Sequence, residues 1–131
     1  MDYYNRLFIW EVSMKLFDSE LRLMELIWDE DGITAKELSL RAAETIGWNK
    51  NTTYTVLKKL VAKDAVERLE PGFRCVARIT REQVAAEETE GLISKLYRGS
   101  KKAFFAAFLQ HENLSDAELD ELRAMIDRHE E

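Results

Sequence analysis

The chain has 131 residues and a formal net charge of -6, which allows one domain, or a small domain with an appendage, burying roughly two-thirds of its unfolded surface. Its single cysteine, Cys75, excludes an intrachain disulfide and a Cys-X-X-Cys metal or redox site. No run is long enough to cross a membrane and the first residues lack the pattern of a secretory leader, so a cytoplasmic setting without membrane insertion is expected. The N-glycosylation patterns at Asn51-Thr52-Thr53 and Asn113-Leu114-Ser115 are then chance matches.

The charge is unevenly divided. Residues 1–47 hold five basic and ten acidic side chains, residues 48–81 eight and three, and residues 82–131 six and twelve. An acidic whole can therefore present a basic working face, because charges more than about 8 Å away are largely screened at physiological salt.

Residues 1–15 stand apart as an N-terminal extension. Leu7-Phe8-Ile9-Trp10 is apolar and precedes a second methionine, Met14. Either translation starts at Met14 or the segment is an arm packed on the body, and the intact mass of natively expressed protein separates the two. A first helix is expected to begin after Asp18 or Ser19 and to run through Leu21, Leu23, Met24, Leu26, Ile27 and Trp28, with a broad apolar face. Asp29-Glu30-Asp31-Gly32 breaks that pattern. Thr34-Ala35-Lys36-Glu37 is a capping box opening a second helix through Leu38, Leu40, Ala42, Ala43 and Ile46, which Gly47 ends.

Residues 48–60 predict a third helix with Asn49 as N-cap and a narrow seam of Val56, Leu57 and Leu60. Thr and Asn are indifferent helix formers, so their concentration here points to selection for something other than helix stability. Two helices joined by a short Gly-containing turn are the layout of a helix-turn-helix. The groove-facing work is assigned to Asn51, Thr52, Thr53, Tyr54 and Thr55, whose hydroxyls and amide suit base edges, and phosphate contacts to Lys50, Lys58 and Lys59. Trp48 reads as core.

Beyond Ala65 the period changes. Residues 66–70 and 73–79 predict two strands around Pro71-Gly72, with Phe73, Cys75, Ala77 and Ile79 on one face and Arg74, Val76 and Arg78 on the other. Three helices and such a hairpin make a winged helix, with Arg74 and Arg78 assigned to phosphates. Cys75 reads as a small core residue, with a redox role the alternative.

The remainder is helical and acidic. Leu92, Ile93, Leu96 and Tyr97 form one apolar stripe, Phe104, Phe105, Phe108 and Leu109 a second, and Leu119, Leu122, Met125 and Ile126 a third, with Ser115-Asp116-Ala117-Glu118 a further capping box. These stripes exceed what lone helices tolerate in water. Symmetric dimerisation through Leu92, Leu96, Tyr97, Phe104, Phe105, Phe108, Leu109, Leu119, Leu122 and Ile126 would cover them, and an intrachain helical hairpin is the alternative. The expected organisation is a mainly α chain with a small β-hairpin: a winged helix at 16–80 for DNA binding and a helical dimerisation region at 81–131.

The chain resembles the penicillinase-repressor family of bacterial transcription regulators, the BlaI/MecI/CopY group, over about residues 16–128. The resemblance rests on Leu23-Met24-Glu25-Leu26-Ile27-Trp28, on residues 48–60 with Thr52, Thr55 and Leu57, and on Leu96-Tyr97-Arg98-Gly99 and the run 114–122. It implies a dimeric repressor on an inverted-repeat operator, often upstream of antibiotic-resistance or metal-homeostasis genes. For the penicillinase branch it also implies release by proteolysis downstream of a membrane-bound sensor protease, with the scissile bond at Ala107-Phe108. The chain departs from that pattern in carrying Ala107 where β-lactam-responsive members have Asn. It also lacks the paired C-terminal cysteines of the copper-responsive branch, so no thiolate metal site and no cofactor are expected. Two other readings are a winged helix used as a protein-interaction module and a ligand-sensing repressor with a pocket at Phe104, Phe105 and Phe108. An enzyme is not expected: His111 and His129 have no legible nucleophile partner, and Glu87, Glu88 and Glu90 read as a solvated helix face.

Overall fold

The structure, a computed structural model, describes residues 15–129. Of the expected extension at 1–15, residues 1–14, and with them the alternative start at Met14, lie outside the described residues. By contact density the chain divides between Thr89 and Glu90 into two compact units.

The first unit holds α1 (Asp18–Asp29), β1 (Ile33–Thr34), α2 (Ala35–Thr45), α3 (Lys50–Ala62), β2 (Val66–Leu69), β3 (Arg74–Ala77) and the start of α4 (Arg81–Tyr97). Glu20, three residues into α1, accepts from the backbone N–H of Phe17 at 2.8 Å and so satisfies one donor at the helix start. Leu23, Met24 and Ile27 then recur at helical spacing and are fully buried. In α2, Thr34 accepts from Glu37 N–H at 3.1 Å, and Leu38 and Ala42 face inward. Gly47, at φ 81°, supplies the left-handed residue that ends α2 and donates to the Ala42 carbonyl.

The sheet is antiparallel with strand order β1-β3-β2. The strand at 33–34 is not expected from the sequence, because two residues are too few to show a period. Ile33 pairs with Cys75 and Thr34 with Arg74, and Ala35 N–H donates to the Phe73 carbonyl at 2.8 Å, which fastens the start of α2 to the hairpin. The second hairpin strand is shorter than the expected 73–79. Phe73 has a φ of 50°, outside strand geometry, and Arg78 N–H turns to the Ala65 carbonyl. With Val56, Leu57, Leu60, Val66, Cys75, Ile79 and Val84 completing one core, three helices and a three-stranded sheet make a winged helix.

The second unit contains the rest of α4, α5 (Lys101–His111) and α6 (Asp116–His129). Ser100 caps α5 by accepting from Ala103 N–H at 3.0 Å. The expected capping box at the head of α6 is present: Ser115 Oγ accepts from Glu118 N–H at 3.1 Å while Glu118 Oε1 accepts from Ser115 N–H at 2.9 Å. The backbone N–H of Ser115, joined by the Ser115 side chain, holds the Glu118 carboxyl below the usual carboxylate range. Tyr97 meets Phe104 edge-on at 5.7 Å, yet neither α5 nor α6 has a fully buried residue.

Candidate nucleic-acid interface

The third helix is set by its cap. Asn49 Oδ1 accepts from Thr52 N–H at 2.8 Å, and the buried seam of Val56, Leu57 and Leu60 fixes the roll of the helix. Asn51, Thr55, Lys58 and Ala62 then fall along one exposed face, flanked by Thr52 and Lys59, with Lys50 exposed in the first turn. Thirteen residues at 1.5 Å each give α3 a length of about 20 Å.

Thr53 does not face outward. It is completely buried, and its hydroxyl donates to the Asn49 carbonyl at 3.3 Å. The reason is periodicity: Thr53 lies three, four and seven residues before Val56, Leu57 and Leu60, and so belongs to their stripe. Tyr54 is half-buried, its ring edge-on to Phe73 at 6.4 Å, with the Lys50 ammonium 5.9 Å from the ring centroid. Trp48 is half-buried against the core.

Strand pairing sorts the hairpin's charges. Arg68 is opposite Cys75 and Leu69 opposite Arg74, so Arg68 shares the Cys75 face and Arg74 projects from the other. The Arg68 guanidinium lies 3.9 Å from the Phe73 ring centroid and its Nε donates to Glu70. That bond, with Phe73 N–H, lowers the Glu70 carboxyl pKa. Arg78 is 3.6 Å from Glu67. Nothing in the one-dimensional pattern singled out Arg68, because its facing depends on register with β3.

Two further basic side chains of the central segment are occupied. Lys63 Nζ donates to Glu20 Oε1 at 2.6 Å and to the Lys15 carbonyl at 2.9 Å, and lies over the Phe17 ring. Arg81 pairs with Glu25 at 2.9 Å, which raises its pKa, and sits over Trp28. Among the described residues Lys50, Lys58, Lys59 and Arg74 have no carboxylate partner. The uncompensated charge of the central segment is thus concentrated on α3 and one strand of the hairpin. Burial pushes the Cys75 thiol up to about 11, so it is protonated at neutral pH.

The penicillinase repressor family model matches residues 16–128. The chain belongs to this family. Among relatives, it is 25% identical over 117 residues to the penicillinase repressor of Bacillus licheniformis, covering 88% of this chain and 91% of that one. It is 24% identical over 118 residues to the penicillinase repressor of Staphylococcus aureus, covering 88% and 90%. To the methicillin resistance regulatory protein MecI of Mammaliicoccus sciuri the identity is 21% over 118 residues, covering 88% and 96%. A solved structure, the DNA binding domain of the repressor BlaI in solution, is 28% identical with a TM-score of 0.48, over 51% of this chain and 84% of that one.

Of the residues expected at a dimer contact, Tyr97, Phe104, Leu119 and Leu122 are half-buried within this penicillinase-repressor family chain. Leu92, Leu96, Phe105, Phe108, Leu109 and Ile126 are exposed. Ala107 and Phe108 lie within α5, the first half-buried and the second exposed. Among the described residues no group of His, Cys, Asp and Glu is placed to hold a metal ion, and no helix is long and apolar enough to cross a membrane.

Proposed function

We propose that this chain is a DNA-binding transcriptional repressor that acts as a homodimer on an inverted-repeat operator. The observation that carries the reading is the exposed face of α3. It combines Asn51, Thr52 and Thr55, which offer hydroxyl and amide groups to base edges, with Lys50, Lys58 and Lys59, which have no carboxylate partner among the described residues. Membership of a family of repressors supports the same conclusion. In this reading residues 16–80 bind DNA, residues 81–131 dimerise through the exposed apolar side chains of α4, α5 and α6, and two copies of α3 address two half-sites. Cleavage at Ala107-Phe108 by a membrane-bound sensor protease would cut α5 and end repression by separating the copies.

The test is binding to the promoter DNA of the chain's own gene, measured across a range of salt. The wild-type chain is expected to retard that fragment. Lys59→Ala should weaken binding on every sequence and reduce the slope of log affinity against log salt by about one unit, whereas Thr55→Val should change preference among operator variants. Failure of the wild-type chain to bind at low salt overturns the reading.

A further inference from the structure

We infer that Arg68 is the wing's phosphate-binding side chain, a role that rests on the DNA-binding reading above. The β2–β3 register puts Arg68 on the face that carries Cys75, and Phe73 at the head of β3 meets Tyr54 of α3 edge-on. Lys50 lies against the other side of this chain of contacts. A continuous row, Lys50, Tyr54, Phe73, Arg68, therefore leads from the first turn of α3 to the wing, with an unpaired lysine at one end, an arginine shared with Glu70 at the other, and two aromatic rings between. Arg74, opposite Leu69, lies on the other face of the hairpin, and Arg78, beyond the end of β3, reaches toward Glu67, which shares that other face.

The posture of Arg68 suits an anion. One face of its guanidinium is stacked on Phe73 and its Nε is held by Glu70. The terminal amino groups are left to form two parallel hydrogen bonds to phosphate oxygens. Because the stack and the Glu70 bond hold the side chain before DNA arrives, less rotamer freedom is lost on binding. Phe73 and Glu70 are thus positioning residues, and Arg68 touches the ligand.

The probe is a mixed-sequence duplex of about three helical turns, titrated with the full chain by fluorescence anisotropy between about 50 and 200 mM KCl. Arg68→Ala and Arg68→Gln are each expected to lower the salt slope by about 0.9, the value of one phosphate contact, while Arg78→Ala leaves it at the wild-type value. Phe73→Ala should lower the slope as Arg68→Ala does, the double variant should lower it no further, and Phe73→Tyr should restore it. Circular dichroism melting confirms that each variant is folded at the assay temperature. A wild-type slope in folded Arg68→Ala and Arg68→Gln overturns the inference. If Lys59→Ala lowers the slope and Arg68→Ala does not, this inference alone fails. If wild-type binding shows no salt dependence, the DNA-binding reading fails with it.

Discussion

The two units solve the burial problem in opposite ways. In the first, α1, α2, α3 and the sheet each send residues such as Leu23, Leu38, Leu57 and Cys75 into one core, and these are lost to solvent completely or nearly so. In the second, α5 and α6 bury nothing fully, and Phe105, Leu109, Met125 and Ile126 remain roughly half exposed. The contrast teaches that the winged helix builds a core from its own elements. The C-terminal helices carry an apolar surface in want of a second one, the behaviour expected of an association module.

The comparison is broken most forcefully at the second unit. Phe105→Glu combined with Phe108→Glu is expected to shift the chain from dimer to monomer by sedimentation equilibrium and to lower affinity for a two-half-site operator by about a hundredfold or more. A variant that stays dimeric would show that these rings are not the contact. Next in size is the ion pair inside the first unit. Glu20 is 1% exposed, and its second carboxylate oxygen has no hydrogen-bond partner. Removing its cationic neighbour by Lys63→Ala should therefore cost about 3 kcal/mol in denaturant unfolding, the low end for such a change because Lys63 keeps an edge in water. The pair Glu20→Leu, Lys63→Met should recover most of that loss. The smallest effect sharpens the assignment on α3: Thr53→Val should lower stability by about 1 kcal/mol and leave operator preference unchanged. Altered base preference with intact stability would return Thr53 to the groove.

Much of this was legible in the chain. Asn49 as the cap of α3, Val56, Leu57 and Leu60 as its seam, and Ser115 with Glu118 at the head of α6 are local patterns, written within a few residues of one another. Thr53 is buried where its chemistry, shared with Thr52 and Thr55, suggests an outward face, because its position in the 3.6-residue period decides its facing. Other features escaped because distant residues decide them. The facing of Arg68 depends on which residue of β3 it meets, and Phe73 interrupts strand alternation at that point with a positive φ. The pairing of Lys63 with Glu20 joins positions 43 residues apart, and no spacing rule announces it.

The sheet has a consequence for how such a protein survives at high local concentration. β2 is an edge strand, with one row of backbone groups unpaired within the sheet, and such an edge invites other chains to add themselves. Here the edge is only four residues long, and Glu67 and Arg68 stand on its two faces. A second molecule aligning against it would meet opposed charges on either side before gaining more than a few hydrogen bonds. The strand is thereby a poor template for runaway aggregation.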